Sequence, residues 1–124
     1  MTILRTGVDM IEVVRIEEAA LRHGELFYHR FFTSAERAYC GERYAALAAR
    51  FAAKEAGMKA IGTGLRHGVT WQDVEVVHLP GGRPSLRFSG VAAKFAERLG
   101  CKQASLSLTH TKEQAMAFVI LEGE

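Results

Sequence analysis

The residues best suited to chemistry are one acid near the N terminus and a charged group on a long helix. Asp9 lies in a β-branched, apolar segment, where an acid without a specific use is unfavourable. Glu55 and Lys59 are one turn apart on the helix predicted over residues 42–61. If Asp9 and Glu55 converge, their carboxylates form the oxygen-only site that Mg²⁺ prefers, and lysine neutralises bound phosphate. Such a combination is typical of phosphoryl or phosphodiester transfer.

Lys54 is unusual for its position on the same helix. At 100° per residue it projects among Leu47, Met58 and Ile61, inside the apolar face. An ammonium in that environment is costly without an anion, so we expect a negatively charged partner. Two simpler interpretations remain open. In the first, the Lys54 side chain extends along the apolar surface and its ammonium group reaches solvent. In the second, Glu55 and Lys59 form an ordinary surface ion pair without a role in catalysis.

The elements that must position these residues follow from hydrophobic periodicity and from cap and turn signals. The pattern predicts one α+β domain over residues 1–124, with an antiparallel sheet packed against the long central helix and shorter helices. Thr33 and Glu36 stand at the capping-box spacing, and Gly62 is placed to end the long helix. The predicted helices cover residues 16–30 with a break at Gly24, 33–40, 42–61 and 91–99. The predicted strands cover residues 2–14 with a switch to helix near Glu12, 74–79, 85–88, 104–108 and 115–121.

Composition excludes several classes of protein. A chain of 124 residues buries too little surface to enclose a deep cavity easily, so a site shared between subunits is favoured. The net charge of +2 argues against electrostatic attachment to nucleic acid or to an anionic membrane. Cys40 and Cys101 are not in a metal or disulfide pattern, and no signal or membrane-spanning segment is evident. We therefore expect a cytoplasmic protein with two free thiols.

Three ordered segments, Gly7–Ile16, Arg50–Gly64 and Ser105–Val119, together span nearly the whole chain. The middle segment contains K-E-x-x-x-K-A-x-G-T-G and is the most specific of the three. These segments resemble the holo-acyl-carrier-protein synthase family of 4′-phosphopantetheinyl transferases. Gly57 differs from the larger residue that the family often has there, which predicts close packing at that point.

The resemblance implies a reaction and a set of site residues. The 4′-phosphopantetheine group passes from coenzyme A to a serine of apo-acyl carrier protein, and adenosine 3′,5′-bisphosphate is released. Asp9 and Glu55 would bind Mg²⁺ with the coenzyme A pyrophosphate, Lys59 would contact the phosphates, and Glu55 is the candidate proton acceptor. The residues implied near the nucleotide are Arg50, Lys54, Gly62, Thr63, Gly64 and His110.

The resemblance also implies two kinds of protein partner. Carrier proteins are acidic, and Arg15 and Arg22 on the helix after the first motif would form the docking surface; a mixed, solvated helix face is the alternative. The family assembles as trimers with active sites between neighbouring subunits. A noncatalytic nucleotide-binding or oligomeric interaction protein, in which these charges are structural pairs, is the alternative function.

Overall fold

Five strands and five α-helices follow one another in the order expected for an α+β protein, in a computed structural model that describes residues 1–124. The first half contains β1 (Thr2–Glu12), α1 (Val13–His23), α2 (Glu25–Phe31), α3 (Ser34–Cys40) and α4 (Tyr44–Ile61). The second half contains β2 (Val74–His78), β3 (Pro84–Phe88), α5 (Gly90–Arg98), β4 (Cys101–His110) and β5 (Gln114–Gly123). The predicted fold class is confirmed. No helix combines the length and the apolar character needed to cross a bilayer.

Local signals in the sequence account for several element boundaries. The predicted switch from strand to helix occurs between Glu12 and Val13. The capping box is present, since Thr33 Oγ1 accepts a hydrogen bond from the Glu36 amide at 3.2 Å and Glu36 Oε1 accepts one from the Thr33 amide at 2.8 Å. Gly62 ends α4 in the left-handed conformation, with φ of 85°. β4 begins at Cys101, three residues earlier than predicted, because its backbone already pairs there with Gly123.

The strands form one antiparallel sheet in the order β1-β5-β4-β3-β2. Helix α4 packs across one face of this sheet, and its alanines are almost completely buried there. The central row of the sheet pairs Asp9 with Ala117 and Ala117 with Leu108. Asp9 is therefore on the face of the sheet that α4 covers, because Ala117 is buried against the core.

Two glycines let the backbone of α4 approach the sheet closely. A β-carbon on Gly7 would overlap the carbonyl oxygen of Ala56 and lie 3.1 Å from the Ala60 amide nitrogen. A β-carbon on Gly57 would lie 2.8 Å from Leu86 Cδ1, so the predicted close packing at Gly57 is confirmed. The contact at Gly7 brings β1 against the segment of α4 that carries Glu55 and Lys59.

A buried ion pair joins α3, α4 and β2. Lys54 Nζ lies 2.5 Å from Glu36 Oε1, and neither side chain has more than 1% of its surface exposed. The other carboxylate oxygen of Glu36 accepts a hydrogen bond from the Val76 amide at 2.8 Å. Burial lowers the pKa of Lys54, and the charge and hydrogen bond of Glu36 oppose that shift. The expected anionic partner of Lys54 is therefore present, and Lys54 does not reach solvent.

Substitution of Gly7 tests the close approach of β1 and α4. Gly7→Ala should lower the free energy of unfolding by about 3 kcal/mol, because the added methyl group meets helix backbone that cannot move aside. Thr6→Ala, at the exposed neighbouring position, should cost less than about 1 kcal/mol. Urea denaturation measures both values. Equal stability of the two variants would contradict the close approach.

Substitution of Lys54 tests the buried ion pair. Lys54→Met should cost about 3 to 5 kcal/mol of stability, because it leaves the Glu36 carboxylate buried without a cation. Adding Glu36→Gln to that variant should restore part of the loss, since no uncompensated charge remains. Glu25→Gln, which breaks the exposed pair with Arg37, serves as the control and should change stability little. A double variant as unstable as the sum of the single changes would exclude coupling within the pair.

Candidate active site

Asp9 and Lys59 meet where β1 crosses α4. Lys59 Nζ donates a hydrogen bond to Asp9 Oδ1 at 2.8 Å and another to the Val8 carbonyl oxygen at 3.2 Å. The Asp9 side chain is only 11% exposed, whereas that of Lys59 is 57% exposed. Its hydrogen bond to Asp9 raises the pKa of Lys59. The ammonium group therefore stays charged and remains accessible to a ligand.

Glu55 joins this pair from the same helix. Burial, a hydrogen bond to the Asp9 carboxyl group and the charge of Asp9 together raise the pKa of Glu55 to about 7. The positive charges of Lys59 and Arg15 oppose that shift. The structure thus brings the two acids together, as the sequence predicts, and burial beside Asp9 disfavours the ionised form of Glu55.

The chemistry of this donor set fits a hard divalent cation. A dication beside the two carboxylates would favour the ionised form of Glu55, because its positive charge opposes the burial and the neighbouring negative charge that raise the pKa of that group. No group of three or more histidine, cysteine, aspartate or glutamate side chains is placed to hold a metal ion. A cation here would take its other ligands from water and from a bound substrate, which is how Mg²⁺ binds with phosphate-containing substrates.

A second cluster of charged and aromatic side chains lies on a different side of α4. Arg50 Nη2 lies 3.4 Å from His78 Nε2, and its guanidinium group stacks 4.7 Å above the Tyr39 ring. The Tyr39 and His78 rings stack with centroids 4.4 Å apart. Together with Arg87 and Glu75 these residues line a cavity of about 230 Å³. The cavity combines cations with an aromatic surface, as a nucleotide requires.

The two clusters face apart within one chain. At 100° per residue, Arg50 and Glu55 are about 140° apart around the axis of α4. Arg50 therefore faces α3 and β2, whereas Glu55 faces β1. Lys54 shares the side of Arg50 but pairs with Glu36 in the interior. The expectation that Lys54 contacts a nucleotide does not agree with this burial, which leaves the ammonium group without accessible surface.

The loop after α4 does not offer the free backbone amides that would bind a phosphate. The amides of Gly62, Thr63 and Gly64 all donate to the carbonyl oxygen of Met58, at 3.1 to 3.3 Å. These amides cap the carbonyl end of the helix, where the helix dipole is negative. That these three residues lie near a nucleotide stays a prediction, and a phosphate beside them would depend on side-chain cations rather than on backbone amides.

His110 is not part of the acid pair within one chain. It ends β4 in register with Ala115, which pairs in turn with Ile11 of β1. Two strand spacings, about 10 Å, therefore separate His110 from β1. Its side chain is exposed at the end of the sheet, so it is accessible to a ligand that extends beyond this chain's acid pair.

Arg15 and Arg22 are both exposed on α1, as predicted. With Glu18, Ala19 and His23 they line a shallow depression of about 170 Å³. Arg15 lies close enough to Glu55 for its charge to lower the pKa of that carboxyl group. The helix predicted to bind a carrier protein thus adjoins the acid pair.

Sequence reasoning missed the partners of two predicted residues. Glu36 was assigned only to the capping box, although its carboxylate also pairs with Lys54. Tyr39 and His78 carried no signal of their own, because their contact with Arg50 joins residues far apart in the chain. The one available signal was Lys54 itself, because a lysine on an apolar helix face requires an anionic partner and so indicates a buried acid elsewhere in the chain.

Comparison with known proteins agrees with this arrangement of residues. Residues 5–119 match the family model of the 4′-phosphopantetheinyl transferase superfamily. The chain is 54% identical to the holo-[acyl-carrier-protein] synthase of Solibacter usitatus, over 98% of this chain and 99% of that protein. It superimposes on the holo-[acyl-carrier-protein] synthase of Neisseria meningitidis with a TM-score of 0.86 and 32% identity, covering 98% and 99% of the two chains.

A further solved structure is a holo-(acyl-carrier-protein) synthase from Bacillus anthracis in complex with CoA (3′,5′-ADP). It matches with a TM-score of 0.79 and 36% identity, and the match covers 100% of both chains. The family match, the full-length identity and the shared fold all indicate the same family. The chain belongs to the 4′-phosphopantetheinyl transferase superfamily, among its holo-acyl-carrier-protein synthases.

Proposed function

We propose that this protein transfers 4′-phosphopantetheine from coenzyme A to a serine of apo-acyl carrier protein. The serine oxygen bonds to the phosphorus next to the pantetheine arm, and the bond from that phosphorus to the bridging oxygen breaks. Adenosine 3′,5′-bisphosphate leaves, and the serine proton passes to a base. The observation that supports this reaction best is the contact of Asp9 with both Glu55 and Lys59 at an accessible edge of α4.

The chain's own residues have separate tasks in this proposal. Asp9 and Glu55 hold Mg²⁺, which when bound supplies positive charge to the diphosphate. Lys59 neutralises a phosphate oxygen and stabilises the negative charge that grows on the leaving group. Glu55, directly or through water, accepts the serine proton, because its carboxylate would lie beside the reacting phosphate. No covalent enzyme intermediate is required, since the nucleophile belongs to the carrier.

The separation of the two charged clusters supports an active site built from two copies of the chain. Coenzyme A presents a diphosphate and a phosphorylated adenosine, which require cations in two places. Arg50 and Glu55 face opposite sides of α4, so one chain cannot offer both to one ligand. We assign the diphosphate of coenzyme A to Asp9, Glu55 and Lys59 of one copy. We assign the nucleotide end of coenzyme A to Arg50 and His110 at the interface with the neighbouring copy.

The outer face of the sheet supports such an assembly. Exposed apolar side chains pair there across β1 and β5, Val8 with Phe118 and Met10 with Met116. Each of these four side chains is at least 40% exposed. A contiguous apolar patch on a sheet is a common protein interface. We propose that it holds a homotrimer in which each active site lies between neighbours.

The carrier protein is assigned to the exposed side of α1. Arg15 and Arg22 provide charge for an acidic partner, and the exposed Val14 and Leu21 beside them provide apolar contact. Because Arg15 adjoins Glu55, a carrier docked there would present its serine near the acid pair. Two free cysteines suit the reducing cytoplasm where we place the reaction.

Transfer is measured by mass spectrometry of apo-acyl carrier protein incubated with coenzyme A, Mg²⁺ and the purified protein. The carrier should gain the mass of one phosphopantetheine group. Asp9→Asn and Glu55→Gln should each slow transfer by at least about 100-fold, because each removes a metal ligand. Glu97→Gln, an exposed acid on α5, should retain full activity.

Two results would contradict the proposal. Full activity of both acid variants would exclude their role in the reaction. Binding of coenzyme A without Mg²⁺ dependence and without turnover, for acyl and peptidyl carriers alike, would instead favour a noncatalytic nucleotide-binding protein.

A further inference from the structure

Arg5 lies beside the end of α4, close to the residues assigned to phosphate. Its Nη1 atom is 3.3 Å from the position that a β-carbon on Gly62 would occupy. Gly62 follows Lys59 by three residues, which is about 4.5 Å along a helix axis. Arg5, beside Gly62, and Lys59, hydrogen-bonded to Asp9, therefore place two cations along the contact between β1 and α4.

The strand is irregular at this point. The pairing of β1 with β5 shifts register between Ile3 and Arg5. Such an irregularity redirects side chains and is common beside functional sites. Leu4 packs against the core, while Arg5 is exposed and extends toward the end of α4.

The guanidinium group of Arg5 has no partner within the chain. The protein has four ion pairs, and none of them includes Arg5. Its donors are therefore free for an anion from outside.

The charges at the site leave a place for one more cation. The two carboxylates of Asp9 and Glu55 balance a divalent metal ion, and Lys59 contributes one positive charge. The diphosphate of coenzyme A carries two negative charges, of which Lys59 offsets one. A single arginine supplies the remaining charge, and its planar group can donate two hydrogen bonds to one phosphate.

We propose that Arg5 binds the diphosphate of coenzyme A together with Lys59. This inference rests on the proposed function of the site and adds a substrate-contacting residue to it. Arg5 binds the phosphate that stays with adenosine, whose negative charge is already present in bound coenzyme A, so its contribution appears mainly in the affinity for coenzyme A.

The test compares Arg5→Gln with Arg98→Gln, which removes an exposed arginine from the last turn of α5. Arg5→Gln should raise the KM for coenzyme A about tenfold and leave the KM for the carrier unchanged, because one charged hydrogen-bonding group is lost. Calorimetry with Mg²⁺ should show the same loss of affinity for dephospho-coenzyme A, which keeps the diphosphate but lacks the 3′-phosphate. Arg5→Lys should recover part of the affinity, and Arg98→Gln should behave as the unaltered protein.

Several outcomes would overturn the inference. An unchanged KM for coenzyme A, with or without a lower thermal midpoint, would make Arg5 a structural residue. A loss of affinity for coenzyme A but not for dephospho-coenzyme A would assign Arg5 to the 3′-phosphate instead. If the unaltered protein transfers normally and Arg5→Gln has no effect, this inference alone is refuted. If the unaltered protein never transfers phosphopantetheine, the proposed function is refuted.

Discussion

The close approach of β1 to α4 is the constraint on which the site depends. Gly7 has no side chain, so the strand lies directly against the helix backbone at Ala56 and Ala60. Asp9, two residues further along the strand, is thereby brought within hydrogen-bonding distance of Lys59 and close enough to Glu55 to raise the pKa of that group. Backbone contact sets these positions more rigidly than interlocking side chains would, and phosphoryl transfer relies on accurately placed charge.

Two adjacent residues of helix α4 lie in different environments. Lys54 points into the interior and ties α3 and β2 to the helix through Glu36, whereas Glu55 points toward β1, where burial and Asp9 raise its pKa to about 7. The buried pair also holds α3 in place, and with it Tyr39 beneath Arg50. One helix thus organises the acid pair on one side and the Arg50 cavity on another. We propose that a ligand that needs both sides lies between two copies of the chain.

Much of this arrangement could be predicted from residues that act locally. The capping box at Thr33, the stop at Gly62 and the switch near Glu12 are short-range signals, and each is present in the structure. The convergence of Asp9 with Glu55 could be inferred because each acid lies among apolar residues, where an isolated carboxylate is unfavourable. The strand limits were less accurate, since backbone pairing extends β4 to Cys101 beyond its apolar residues.

What could not be predicted depends on contacts between distant segments. Nothing in the sequence near Glu36 indicates that its carboxylate meets Lys54, because the capping box already gives that residue a sufficient local reason. The placement of Lys54 near a nucleotide followed from the family motif, whereas its burial follows from packing of α3 on α4. Tyr39 and His78 likewise become neighbours of Arg50 only through the fold.

The central claim is that each active site combines the acid pair of one copy with Arg50 of another. The most direct measurement mixes two variants, Asp9→Asn and Arg50→Gln, each inactive alone, and assays transfer after their subunits have exchanged. In a closed ring with sites between neighbours, random mixing of equal amounts restores about a quarter of the sites. Recovery of activity near that level is the predicted result. A mixture that stays as inactive as its parts, although its subunits have exchanged, would contradict the shared site.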